Sequence, residues 1–247
     1  MLAHNFCRWR TPPIPDNTVL CVGLELEDIT AWPSHCAPFT TQQEQQEAAR
    51  YAHVEDAARH LAGRALARCL LHTALGRKFA AEFARTPYGK PFCPETSTDF
   101  SISHSGSMVW VALCRRAAVG IDVEKIRPLP DAEELTSQLH PQEREALLCL
   151  PPAELETAFY RCWTRKEAVL KAVGMGLSMP LHGFSVNTGP QESGWILSCI
   201  GTNTRNTVTK HTSDQQWTSR DITTIIGYQC SVAAHAPLLD VVINLAR

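Results

Sequence analysis

Two long stretches of helical periodicity flank a block of short alternating strands, and this order limits the folds open to the 247-residue chain. From Thr41 to Gly76 apolar positions recur in steps of three and four, at Tyr51, Val54, Ala58, Leu61, Ala65, Leu70 and Leu71. Gly76 supplies a C-terminal stop. The second stretch runs from Pro141 to Val173 and is interrupted at Pro151 and Pro152. Its clearest part, Ala153–Val173, ends at Gly174 and Gly176. Between the two, Phe100–His104 alternates with period two, Gly106 permits a turn, and Met108–Cys114 and Val119–Val123 read as further strands. Thr86–Pro91 is a turn-rich loop. Strand-like runs return at Trp195–Ile200, Thr207–Lys210 and Ile222–Ala234. The order fits a mixed α+β chain with mainly antiparallel sheets better than a regular βαβ alternation.

Composition narrows the function classes. With 44% hydrophobic residues the chain can bury one large core or two small ones. A formal net charge of −2 argues against bulk nucleic-acid binding, and interleaved aromatics are lacking. The apolar runs are too short to span a membrane, and the N-terminus lacks the apolar stretch of a secretory signal, so a cytoplasmic protein is expected. Ten cysteines include no C-x2-C pair, the nearest two being Cys149 and Cys162, and they read mainly as small buried hydrophobes. No G-x-S-x-G elbow is present, which argues against a serine hydrolase built on Ser103 and His104.

Two groups of charged residues carry chemical meaning. In Gly120-Ile121-Asp122-Val123-Glu124, strand alternation puts Asp122 and Glu124 on one face and Ile121 and Val123 on the other. Paired carboxylates repel, and a divalent cation beside a phosphate relieves that repulsion. Alone, the segment reads first as a solvated acidic strand end. On the later helix, Trp163, Glu167 and Lys171 share a stripe, so Glu167 can add a third carboxylate while Lys166 and Lys171 meet phosphate oxygens. Alone, this reads first as an ordinary exposed Glu–Lys pair with Trp163 in the core. From Arg50 to Lys90 there are eight Lys or Arg against three acids, a local balance of 8 − 3 = +5. Arg64 and Arg68 lie one turn apart, Lys90 sits in a Gly-Lys-Pro turn, and Ser103, His104 and Ser105 precede Gly106; all suit phosphate oxygens.

Taken in order, Gly63-Arg64 with Arg68, Tyr88–Pro91, Ile102–Gly106, the Gly120–Glu124 segment and Trp163–Leu177 resemble the phosphopantetheinyl transferases, specifically the larger Sfp-type group. The resemblance runs from roughly Thr41 to Leu181, and its G-I-D-x-E and W-x-x-K-E-A-x-x-K elements are specific in combination. It implies a pseudo-twofold pair of similar subdomains, residues 1–115 and 116–247, each a small antiparallel sheet packed on a long helix, with the cofactor cleft between them. It also implies transfer of the phosphopantetheinyl group from coenzyme A to a serine of an apo acyl- or peptidyl-carrier protein, in a monomer. Asp122, Glu124 and Glu167 would hold Mg²⁺ or Mn²⁺. Lys166 and Lys171 would lie near the phosphates, and Arg64, Arg68, Ser103 and His104 would hold the nucleotide end. Lys90 would lie by the adenine and ribose. Either Glu167 or a metal-bound water would act as general base. Sfp-type enzymes can carry lysines where this chain has Glu44 and Glu47, so coenzyme A binding is expected to lean on Arg64, Arg68 and His104. The alternative to turnover is an inactive relative that binds carrier proteins or nucleotides.

Overall fold

The computed structural model of the chain describes residues 14–16, 18–76, 82–190, 217–235 and 240–246. The first half holds strand β1 (Thr18–Glu25), a short helix α1 (Trp32–Cys36), α2 (Gln42–Ala48) and α3 (Val54–Leu75). A two-stranded ribbon follows, β2 (Ala84–Arg85) and β3 (Pro91–Phe92), then the hairpin β4 (Asp99–Ser105) and β5 (Met108–Cys114). The second half holds β6 (Val119–Lys125), α4 (Ala132–Ser137), α5 (Pro141–Leu148), α6 (Pro152–Val173), β7 (Trp217–Asp221) and β8 (Tyr228–His235). A last strand, β9 (Asp240–Ala246), completes the described chain.

One sheet has the order β4-β5-β1-β9 and the other β6-β8-β7, every pairing antiparallel except β1 with β9. Helix α3 buries Leu61, Leu66, Leu70 and Leu71 against Leu20, Val22, Phe100, Val109 and Val111 of the first sheet. Helix α6 buries Cys162, Val169 and Leu170 with Ala233 of the second sheet and with Phe184. The inner faces of the two sheets meet in a shared core of Val19, Cys21, Met108, Trp110, Ile121, Val123, Cys230 and Val232. The layers therefore run helix, sheet, sheet, helix, and each long helix has 22 residues. This is the α+β pair of helix-backed sheets expected from the sequence. The division at 115/116 does not separate the sheets, however, because β9 returns from the far end to pair with β1.

Local sequence accounts for most element ends. Pro151 and Pro152 start α6, where proline's missing N–H costs nothing, and Gly174 ends it in the left-handed region at φ 77°. The expected helical run 41–76 is two helices. Thr41 and Glu44 form a capping box that starts α2, the chain turns over 49–53, and His53 is extended ahead of α3. No glycine or proline marks that break, and apolar periodicity runs through it. Strand β1 was not anticipated; it is buried on both faces, so its apolar run lacks alternation. The run Ile222–Ala234 becomes strand only from Tyr228, after a turn that leaves Ile226 fully exposed. The expected strands at Trp195–Ile200 and Thr207–Lys210 lie outside the described residues.

A side-chain seam joins the sheets. Strand β6 pairs with β8 on one edge only, so the N–H groups of alternate residues point away from β8. Side chains of β4 accept them in register: Asp99 from Val119 at 2.8 Å, Ser101 from Ile121 at 3.1 Å, Ser103 from Val123 at 3.2 Å and Ser105 from Lys125 at 3.1 Å. The Asp-x-Ser-x-Ser-x-Ser alternation of β4 thus replaces a missing neighbour strand and brings Ser103 and Ser105 beside Asp122 and Glu124.

Candidate active site

At the middle of the seam the Ser103 hydroxyl donates to Asp122 Oδ1 at 2.9 Å, and the Lys171 ammonium donates to the same oxygen at 2.7 Å and to Ser103 Oγ at 2.9 Å. Lys171 reaches across because α6 lies directly on β6 at Gly120. A Cβ there would stand 1.9 Å from the Ala168 carbonyl oxygen and 2.4 Å from the Ala172 nitrogen. Only glycine permits that approach. One strand step away, Ser105 donates to Glu124 Oε2 at 2.7 Å. Burial pushes the Glu124 and Glu167 carboxyls above the ordinary range, and the charge of Asp122 pushes both the same way.

Asp122 is 3% exposed, and its Oδ2 has no hydrogen-bond partner among the described residues. Asp122 thus keeps one unpaired buried oxygen, and Glu124 and Glu167 lie near enough to feel its charge and that of Lys171. No three acidic, histidine or cysteine side chains among the described residues already converge as a metal-holding group. The donor set nevertheless fits a hard divalent cation, since every donor is an oxygen and the local charge is negative in excess.

The opposite wall is basic. His104 is exposed by surface area but crowded by neighbouring groups, and its pKa is pushed down to about 4, first by lost hydration and then by Lys171 and Arg59. Arg59, not singled out from the sequence, donates to the Gly106 carbonyl at 2.8 Å and so holds the hairpin tip beside His104. Arg64 lines a cavity of about 280 Å³ with Glu47, Arg50, Tyr51, His60 and Arg85. Of these, His60 and Arg85 were also not singled out; they are 25 positions apart, and only α3 packing and the β2 ribbon bring them together. Lys90 lines a larger cavity of about 680 Å³ with Thr86, Tyr88, Gly174 and Met175. Its ammonium is engaged by Asp99 at 2.6 Å and by the carbonyls of Val119 at 3.1 Å and Ala172 at 3.4 Å. Lys90 therefore fastens the two halves with its charge, and offers a ligand its stem and the turn around it.

Two expected phosphate contacts are corrected. Lys166 is 0% exposed and donates to Glu143 at 2.9 Å and to the Phe184 carbonyl at 2.7 Å. It faces the interior because neighbouring helix positions diverge by about 100°, so a residue next to Glu167 cannot share its direction. Arg68 donates to Glu44 at 3.0 Å and to the Phe39 carbonyl at 2.8 Å, with its guanidinium 4.5 Å from the Phe83 ring centre. The two pairs are counterparts. Glu44 and Glu143 are each the third residue of a capping box, on α2 and α5, and each binds a cation on the next long helix, 24 and 23 residues on.

Comparison with known proteins bears on both halves. Residues 118–233 match the model of the 4'-phosphopantetheinyl transferase superfamily, and residues 32–116 match that of a 4'-phosphopantetheinyl transferase N-terminal domain. The chain is 35% identical over 152 residues to 4'-phosphopantetheinyl transferase ffp of Bacillus subtilis, covering 60% of this chain and 66% of that protein. It is 34% identical over 151 residues to 4'-phosphopantetheinyl transferase Sfp of Bacillus subtilis (strain 168), covering 60% and 66%. With 4'-phosphopantetheinyl transferase HetI of Nostoc sp. it shares 33% identity over 160 residues, covering 62% and 65%. The matched stretch therefore spans just under two thirds of these relatives.

Proposed function

We propose that this chain, whose residues 32–116 and 118–233 both match 4'-phosphopantetheinyl transferase models, transfers the phosphopantetheinyl arm of coenzyme A to a serine of an apo acyl- or peptidyl-carrier protein. The observation that carries this reading is the Ser103–Asp122–Lys171 cluster on the seam between the halves, with Glu124, Glu167 and His104 near enough to feel its charges. An acidic site for a cation beside a basic wall for phosphates suits a pyrophosphate substrate.

In the reaction the carrier serine oxygen bonds to the β-phosphorus of coenzyme A as the bond to the bridging oxygen breaks. Adenosine 3',5'-bisphosphate leaves with that electron pair. Lys171 neutralises charge on the pyrophosphate oxygens while Ser103 and Asp122 hold its ammonium in place. Glu167 is the side chain placed to accept the serine proton; burial and Asp122 raise its carboxyl, whereas a cation held by the same carboxylate would make it a weaker base. His104 and Arg64 hold the nucleotide end. Asp122, Glu124 and Glu167 would hold Mg²⁺, which supplies charge stabilisation at the transferring phosphoryl group. Arg68 and Lys166 have no direct part.

No described helix is long and apolar enough to cross a membrane. The test is incubation of the protein with apo-carrier protein, coenzyme A and Mg²⁺, read by the carrier's intact mass. A phosphopantetheine-sized gain, lost with EDTA and in Asp122→Ala, is expected. Coenzyme A binding without any gain across several carriers would favour an inactive binding relative.

A further inference from the structure

The cavity around Arg64 contains one acid among its cations. Glu47 Oε2 lies 2.6 Å from Arg85 and 3.9 Å from His60 Nε2, and Gln43 donates to its other oxygen at 3.2 Å. Burial works against its charge, but Gln43, Arg85, His60 and Arg64 outweigh burial and hold the carboxyl below the ordinary range. Arg64 is different. It is only 7% exposed, lies 5.8 Å from the Phe83 ring centre, and has no hydrogen-bond acceptor among the described residues. Burial and the neighbouring Arg85 strain its positive charge more than Glu44 and Glu47 support it. The cavity is thus a built anion site, and the chain's own carboxylate already engages part of it.

The site is within reach of the seam. Arg59 and His60 occupy successive positions on α3, with Arg64 one turn further, and the charge of His60 is felt at His104. Of the coenzyme A phosphates, the pyrophosphate belongs at Lys171 by the reading above. The remaining one is the ribose 3'-phosphate, a terminal monoester.

We propose that Glu47 is a specificity-determining residue: by competing for Arg85 and His60 it weakens the demand for the 3'-phosphate, so that the protein separates coenzyme A only weakly from its 3'-dephospho analogue. This rests on coenzyme A being the substrate. A phosphate monoester entering the cavity gains Arg64 and Arg50 but must displace Glu47 from Arg85 or sit beside its negative charge. A ligand without that phosphate meets neither effect.

The experiment is calorimetric titration of coenzyme A and of 3'-dephospho-coenzyme A into the full chain, Glu47→Gln and Arg64→Gln, with Glu47→Ser as a second removal of the charge should Glu47→Gln fold poorly. The unaltered protein should prefer coenzyme A by less than about tenfold. Glu47→Gln should tighten coenzyme A by about three- to tenfold and leave the analogue unchanged, in the range of a partly exposed ion pair. Arg64→Gln should erase the preference. If both ligands bind and the ratio stays the same or narrows in a folded Glu47 variant, the role of Glu47 is overturned while the functional reading stands. If neither ligand binds the unaltered protein, both are overturned.

Discussion

Replacing Lys166 with methionine separates an interior role from a ligand-binding one. Methionine keeps the unbranched stem and removes the ammonium, which leaves Glu143 buried at 2% exposure. Two backbone donors remain to that carboxylate, His140 N–H at 3.0 Å and Val186 N–H at 2.6 Å, while the Phe184 carbonyl loses its donor. Breaking one side of a buried pair costs about 3–5 kcal/mol. The two retained N–H donors favour the lower end, so about 3 kcal/mol is expected, or a fall in Tm of roughly 6–12 °C for a chain of this size. The double variant Lys166→Met with Glu143→Gln should regain only part of that loss: no charge is then buried alone, but the glutamine NH2 must face one of the two backbone N–H donors. Urea and thermal unfolding of the four proteins in the cycle measure the coupling. Coenzyme A affinity of the folded fraction should hardly change. A Lys166→Met protein as stable as the parent, but with a several-fold higher KM for coenzyme A, would refute the argument and return Lys166 to the cleft.

Gly120→Ala should force α6 off β6, and with it Glu167 and Lys171; a misplacement of about 1 Å can cost about a hundredfold in rate, so transferase activity should fall far more than coenzyme A binding. Ser101→Ala leaves the buried Ile121 N–H without its acceptor and should destabilise by about 1–3 kcal/mol, with faster hydrogen exchange at that amide. His104, held down to about 4 by lost hydration, Lys171 and Arg59, adds nothing to the pH dependence of stability above about 6.5. As pH falls from there toward its folded value, the unfolded chain takes up the proton first and stability drops; His104→Gln should flatten that part of a Tm-against-pH profile. The same imidazole should be drawn back toward protonation by a bound phosphate, so coenzyme A binding at pH 7 should take up protons, seen as a dependence of calorimetric heat on buffer ionisation enthalpy.

The acidic half of the site was legible because strand alternation and helix periodicity are local rules. Asp122 and Glu124 share a face by period two, and Glu167 and Lys171 share a stripe by i,i+4 spacing; Gly120 permits the contact between the two elements. The basic half was legible only in sum. A local excess of +5 says that cations are present but not which ones reach the cleft. Arg64 and Arg68 are one turn apart on α3 and have opposite fates: Arg64 lines a cavity, while Arg68 is held by Glu44. Lys166 and Glu167 are adjacent and diverge in the same way. What decides each case is a glutamate at the third position of a capping box, on a helix that sequence periodicity alone either merged with its neighbour or left unpaired. Once Thr41–Glu44 and His140–Glu143 are recognised as equivalent starts, Arg68 and Lys166 fall into equivalent places, and the repeat that was invisible as sequence similarity becomes a pair of structural ion pairs. Capping glutamates thus account for two of the cations the fold consumes, Arg68 and Lys166, while Asp99 and Asp221 hold Lys90 and Arg165, and Lys171 is held by Asp122 on the seam.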